Sequence, residues 1–268
     1  MGNYSSPDIA VHISELSQRM HDPTAMCQEL LNGLCRYKEL TINEERRLQP
    51  NVDQVSDQGE IDLFLMGDAN LGIHRDKCRA RAGVLAFLAD VLVCWQSKLE
   101  PGQSAATAKS EFIGMANAAR TGLWIDSLVI DISQGRYFIK KPIICAADNQ
   151  AAITIAKSAA LTKMARHIDI RWMWVRDLVK MEILNFIFTR SKKNTSDSMT
   201  KVQGKPDFVR CRDELYGQMF GSHEKVVMSM QEIKGDWQVQ TLDQILNLEE
   251  EDPTFHSIPR AMIQGWRQ

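Results

Sequence analysis

Four acidic residues carry the chemistry this sequence can do: Asp68, Glu111, Asp148 and Asp197. Asp148 closes the apolar run Ile143 to Ala147, which is bounded by Pro142 and reads as a buried strand. Asn149 is a capping residue for the helical spacing of Ala151, Ala152, Ile155 and Ala156 behind it. Asp148 therefore falls at the C-terminal mouth of a strand, where α/β sheets commonly hold ligands. Taken alone, it reads first as a helix cap and second as a metal ligand. Asp68 ends another apolar run, Ile61 to Gly67, and Asp197 opens a short helical stretch, Ser196 to Lys201. Glu111 precedes Phe112 by one position, about 100° round the helix and so at the edge of its apolar face. Gathering four carboxylates in one place is opposed by repulsion and desolvation unless cations are bound. Hard oxygen ligands of this kind suit Mg²⁺ or Mn²⁺. Two such ions about 4 Å apart support in-line phosphodiester cleavage.

The elements that must position these acids follow from the pattern of the chain. Ile9, Ile13, Leu16 and Met20 make an amphipathic helix with Pro7 in its first turn, and Leu30, Leu31, Leu34 and Tyr37 make a second. Residues 41–60 are polar and read as a linker. Strands at 61–68, 83–88 and 91–95 follow in series, with a basic turn from His74 to Arg81, and suggest an antiparallel meander that ends at Pro101-Gly102. The longest helical pattern runs from Ser104 to Ile132 through Phe112, Met115, Ala116, Ala119, Leu123, Trp124 and Leu128. After the Asp148 unit come a helix over 162–179, a strand over 183–189, a basic loop over 190–195 and a last helix. This order predicts one mixed sheet with helices packed on it. Residues 221–268 carry scattered apolar positions and an acidic run, Glu249 to Asp252, with no functional reading.

The composition bounds the partners. The chain has 268 residues, is 44% hydrophobic and carries a formal net charge of −2, so no global positive field gathers nucleic acid and local basic clusters must do so. Six cysteines form no C-x-x-C pair and read as reduced, mostly buried thiols of an intracellular protein. No apolar run approaches the ~18 residues of a membrane span. Met1 to Asp8 is polar, so no secretory signal is expected, and Met1-Gly2-Asn-Tyr-Ser-Ser6 fits the loose myristoylation pattern.

An ordered set of short phrases resembles one family. They are Ser6-Pro-Asp-Ile-Ala with Glu15-Leu-Ser, Asp22-Pro-Thr24, Arg36-Tyr37, Gly67-Asp68-Ala69, Trp95-Gln-Ser97-Lys98, Ser110-Glu111-Phe112, Leu123-Trp124, Asp148-Asn149-Gln150-Ala-Ala-Ile153, Arg166-His167-Ile-Asp-Ile-Arg171 and Ser196-Asp197-Ser-Met-Thr-Lys201. Over residues 6–217 the chain resembles the ribonuclease H region of copia-type retrotransposon Pol polyproteins, preceded by the C-terminal end of the reverse transcriptase. The resemblance implies an α/β, ribonuclease H-like mixed five-stranded sheet flanked by helices, with an N-terminal helical extension. It divides the chain into connection helices (1–45), a linker (46–60), the ribonuclease H-like domain (61–220) and a tail (221–268).

The same resemblance implies a function and a ligand set. The activity is metal-dependent hydrolysis of the RNA strand of RNA–DNA hybrids during reverse transcription, with two Mg²⁺ ions that Mn²⁺ replaces. Asp68 would bridge both ions, Glu111 and Asp148 would complete the one that steadies the leaving 3′ oxygen, and Asp197 would help hold the other, beside the attacking water. Asn149, Gln150, Arg75, Arg166, His167 and Arg171 would bind substrate. The 2′-hydroxyls would be read on the RNA strand, and the basic turn from Arg75 to Arg81, with Lys192 and Lys193, would offer phosphate contacts. The implied partners are the hybrid and the remainder of the polyprotein, in a cytoplasmic virus-like particle and the nucleus. The Tyr-x-Asp-Asp hairpin of a reverse transcriptase is absent, so polymerase activity is not expected.

Departures from the family pattern keep an alternative open. Asn70-Leu71 stands where the family has Asp-Trp, and Lys109 replaces an acid two residues before Glu111. The loop Arg190 to Thr195 lacks the histidine that cellular ribonucleases H often carry, leaving His167 as the nearest candidate helper. The second reading is a decayed or host-retained copy that keeps the fold and binds nucleic acid or protein without cleaving. A third, remote reading treats the acids as caps and surface charges alone.

Overall fold

Alternation along three runs sets the architecture. Leu63 and Leu65, Val84 and Ala86, and Cys145 and Ala147 bury against one side, whereas Met66, Leu85, Phe87 and Ala146 bury against the other. A strand whose successive side chains are both buried must be covered on both faces, so the sheet lies between two helical layers. The computed structural model describes residues 5–74, 79–103, 107–158 and 173–217. In chain order these form a 3₁₀ turn (Pro7–Ile9), α1 (Ala10–Ser17), α2 (Ala25–Leu40), β1 (Glu60–Ile61), β2 (Leu63–His74), β3 (Arg79–Leu88), β4 (Val91–Gln103), α3 (Thr107–Ser133), β5 (Phe138–Ile139), β6 (Ile143–Ala147), α4 (Gln150–Lys157), α5 (Trp174–Lys180), β7 (Leu184–Phe188), two 3₁₀ turns (Ser191–Lys193 and Thr195–Met199) and α6 (Lys205–Leu215).

The main sheet has the order β4-β3-β2-β6-β7, with β2, β3 and β4 antiparallel and β6 and β7 added in parallel. It is the mixed five-stranded sheet flanked by helices, with an N-terminal helical extension, that the resemblance implies. One layer is α3 with α4 and α5 over the core of Phe112, Met115, Ala119 and Phe186, and the other is α1, the Thr195–Met199 turn and α6. A fully buried Phe112 is worth about 1.5–3 kcal/mol of transfer free energy.

Three expectations change. Asp68 does not end its strand: β2 continues to His74, because the meander pairs as far as Leu71 with Ala80 before a bulge. β4 likewise runs through Pro101-Gly102 to Gln103. Arg81, expected in a basic phosphate-binding turn, is a fully buried β3 residue; its guanidinium donates to Glu15 and Ser14 of α1 and to Ser97 Oγ at 3.2 Å. The thiols at Cys27, Cys35, Cys94, Cys145 and Cys211 are free as expected, but only Cys145 and Cys211 are buried and Cys35 is exposed. Among the described residues no helix is long and apolar enough to cross a membrane.

The N-terminal segment is bound to the sheet by polar contacts. Buried Asp8 accepts hydrogen bonds from Tyr37 at 2.6 Å and from Tyr216 at 3.1 Å, joining the first turn, α2 and the end of α6. The stretch read as a linker is fastened too: Arg47 N donates to Tyr216 O at 2.9 Å, Asn51 N donates to Ala89 O at 2.9 Å, and the Arg46 guanidinium lies 4.8 Å from the Trp95 ring centroid.

Two glycines set how closely the layers approach. A Cβ on Gly114 of α3 would meet Asp68 O at 2.7 Å, and one on Gly83 of β3 would meet Met199 Cβ at 2.7 Å and Ser196 O at 2.8 Å. Gly114 lies one turn from Glu111, and Gly83 is the register partner of Asp68. Their lack of side chains lets a helix and a turn press on opposite faces of the strand that carries Asp68. Gly114→Ala gains about 1 kcal/mol of helix propensity, but the clash is with backbone, so overpacking of roughly 1–3 kcal/mol prevails. We expect a lower melting temperature together with a disproportionate loss of any hybrid cleavage, as α3 lifts Glu111 from Asp68. Calorimetry beside a cleavage assay checks this, and wild-type behaviour in both would contradict it.

Candidate active site

The site forms where the parallel pairing stops. β2 and β6 pair from Phe64 with Ile144 to Met66 with Ala146, after which β6 turns into α4 while β2 continues. Asp68 and Asp148 each lie two residues past the last pair, so the register itself brings them side by side. On the flank β6 has left, the Ala69 N–H has no strand to bond. Glu111, from the first half of α3, reaches it and accepts at 3.2 Å through Oε2. Carboxylate oxygens of Asp68, Glu111 and Asp148 all lie within 4.8 Å of one another. Asp197 approaches from the other face, on the turn that rests against Gly83, and its charge raises the proton affinity of Asp68. Three of the four acids thus share one place, which separate caps and surface charges would not.

The cap question at Asp148 resolves in favour of its neighbour. Asn149 Oδ1 accepts from Ala152 N at 3.0 Å and caps α4, leaving the Asp148 carboxylate to face the site. Each acid is held by one protein donor. Asp68 accepts from Thr200 Oγ1, Glu111 from Ala69 N, Asp148 from Ser191 Oγ at 2.6 Å, and Asp197 from Lys201 Nζ at 2.7 Å. Ser191, Thr200 and Lys201 were not singled out by the sequence. The available signal was spacing: Thr200 and Lys201 stand three and four residues after Asp197, as helical partners do.

The electrostatics express the crowding. Asp68, 4% exposed, has its proton affinity raised first by burial and then by Asp197, Glu111 and Asp148. Glu111 is pushed up to about 8 by burial and by Asp148, against the opposing Ala69 N–H bond. Asp197 is raised by burial, with the Lys201 ammonium pulling it back. Carboxyl groups held this far above their ordinary range are a donor set that a hard divalent cation would satisfy.

A pH dependence follows with a definite sign. Glu111 has a folded-state pKa of about 8 against an ordinary 4.5, so its stabilising contribution is complete below about 4.5 and lost as pH rises towards 8. In chelator, the melting temperature of the wild type should fall relative to Glu111→Gln between pH 5 and pH 8.5, by several degrees on the scale of roughly 2–4 °C per kcal/mol. Parallel curves for the two proteins would show that the carboxyl is not strained.

The other expected site residues divide. Gln150 is exposed at the first position of α4, and Lys192 is exposed on the turn that carries Ser191. Arg75, Arg166, His167 and Arg171 lie outside the described residues. Among the described residues, Lys201 places a cation on the acids, through its ion pair with Asp197.

Comparison with known proteins bears on most of the chain. No family model matches it. It is 25% identical over 213 residues to the retrovirus-related Pol polyprotein of transposon TNT 1-94 from Nicotiana tabacum, covering 79% of this chain and 15% of that protein. It is 24% identical over 205 residues to the corresponding polyprotein of transposon RE1 from Arabidopsis thaliana, covering 76% of this chain and 13% of that protein. The chain thus spans only a small part of these relatives. Similar solved structures include ribonuclease H1 from Halobacterium salinarum, at 12% identity and a TM-score of 0.37 over 52% of this chain and 94% of that one. Another is the N-terminal ribonuclease H domain of a Mycobacterium tuberculosis protein, at 9% identity and a TM-score of 0.34 over 52% and 94%.

Proposed function

Because the homologues of this chain are copia-type, retrovirus-related Pol polyproteins of transposons, we propose that it is their ribonuclease H segment. In this reading it hydrolyses the RNA strand of RNA–DNA hybrids with the aid of divalent cations. The observation that carries the reading is the meeting of Asp68, Glu111 and Asp148 within 4.8 Å. Carboxylates brought this close, one buried and two half-buried, destabilise the fold unless a cation or protons neutralise them.

These residues fit Mg²⁺ or Mn²⁺: all the donors are hard oxygens, and their mutual repulsion leaves the charge to be balanced. Asp68, Glu111 and Asp148 would hold one ion, and Asp68 with Asp197 a second. Bound there, the ions supply Lewis-acid stabilisation of phosphoryl charge and an activated water. The chain's own contribution is orientation. Thr200 fixes the Asp68 carboxylate, the Ala69 N–H fixes Glu111, and Ser191 fixes Asp148, much as hydrogen bonds behind any ligand restrict its rotation. Gln150 at the start of α4 and Lys192 beside Ser191 flank Asp148, where a polar donor and a phosphate counter-charge are useful. In the polyprotein the segment would act on hybrids made by reverse transcription, in the cytoplasmic particle.

The test is cleavage of an end-labelled RNA–DNA hybrid, first in Mg²⁺ and then in Mn²⁺. Products from the RNA strand alone support the reading. Folded protein that binds hybrid and yields no product in either metal leaves the alternative, a retained copy that no longer cleaves. That alternative draws on Asn70 and Lys109.

A further inference from the structure

Lys201 is where the charge of the site is already partly balanced. It leaves the Thr195–Met199 turn four residues after Asp197, and its ammonium bonds Asp197 Oδ2 at 2.7 Å. The adjacent Thr200 is fully buried and bonded to Asp68, which fixes the backbone from which Lys201 extends. Its partner Asp197 borders a crowded group: the Asp68 that Thr200 holds shares one place, within 4.8 Å, with carboxylate oxygens of Glu111 and Asp148. The Lys201 side chain is also 45% exposed, so it can swing into water without leaving a buried charge behind.

We infer that Lys201 is a resident counter-ion of the acid cluster, which gathers the carboxylates in the absence of metal and must release Asp197 before a divalent cation can use that carboxylate. The inference rests on the metal-binding reading above and deepens it by naming the group that sets cation affinity at the Asp197 side. Lys201 then has opposing effects. It lowers the repulsion that the metal-free fold must bear, and it competes with the ion for one ligand. A partly exposed ion pair in such competition shifts apparent affinity by about fivefold to tenfold.

The experiment is a calorimetric titration of the full chain with MnCl₂ and no nucleic acid, on wild type, Lys201→Met and Lys180→Met. Lys180→Met removes the same unit of charge from an exposed position at the end of α5, which has no part in the site, and so measures the general effect of net charge. Thermal unfolding with and without Mn²⁺ accompanies it. Lys201→Met should bind Mn²⁺ about fivefold to tenfold more tightly than wild type, melt at a lower temperature without metal and gain more on adding it, while Lys180→Met stays within about twofold of wild type. Lys201→Gln serves in its place if the methionine variant does not fold. Equal or weaker binding by the Lys201 variant, or equal tightening in both, overturns the inference while wild-type binding leaves the metal site standing. No binding by any of the three removes the metal site and the inference together.

Discussion

Asp148→Asn should abolish cleavage of the RNA strand, by roughly a thousandfold or more, the equivalent of about 4 kcal/mol of transition-state stabilisation. Fold and hybrid binding should persist. Asparagine has the size of aspartate, its side-chain oxygen can still accept from Ser191 Oγ, and the cap of α4 belongs to Asn149. What disappears is one negative charge among four, at the point where the end of β6 meets β2. The metal-free protein should therefore be as stable as wild type or more so, since a source of repulsion on Glu111 and Asp68 has gone. Loss of cleavage with gain of stability is the expected pattern for a strained functional site. Rates from an end-labelled hybrid, an electrophoretic binding assay and a melting curve decide the matter together. A variant that cleaves at the wild-type rate would remove Asp148 from the chemistry, and one that unfolds would return it to a structural role.

The second large effect is on stability and lies away from the site. Glu15→Ala should cost about 3–5 kcal/mol, the range for removing one partner of a buried ion pair. Arg81 is fully buried, and Ser14 and Ser97 supply hydrogen bonds but no compensating charge. Arg81 stands two residues from Gly83, against which the turn bearing Asp197 rests, so the damage should reach the acids as well. The double variant Glu15→Ala, Arg81→Met should recover most of the loss, because it removes the stranded charge while keeping apolar volume on β3. Denaturant unfolding of the wild type, the single variant and the double variant measures this. A loss below about 1 kcal/mol for Glu15→Ala would show that the pair behaves as a surface contact and that α1 is dispensable to the sheet.

Local pattern was enough for the elements. Alternation and apolar runs gave the strands, the three-and-four repeat around Phe112 gave α3, and Asn149 announced its cap. The ordered phrases around Asp68, Glu111, Asp148 and Asp197 named four acids, of which the structure gathers Asp68, Glu111 and Asp148 within 4.8 Å. Strand ends were less legible: β2 passes beyond Asp68 because hydrogen bonds to β3 hold it there, and a strand read alone does not reveal its partner. Charge was misread where burial decides its meaning. Arg81 belongs to a basic stretch in sequence and to a covered ion pair in space, since α1 folds over it.

Sequence by itself thus determined most of the secondary elements and offered four candidate carboxylates, because these depend on short-range periodicity and residue type. Tertiary structure decided that the carboxylates converge, through the end of the β2–β6 register at Met66 and Ala146 and through the close approaches at Gly114 and Gly83. It also decided that Lys201 places its ammonium on Asp197. The reason is physical: proximity of groups distant in the chain is set by pairing and packing between elements, and burial, which fixes proton affinity and charge strength, exists only once those elements have met.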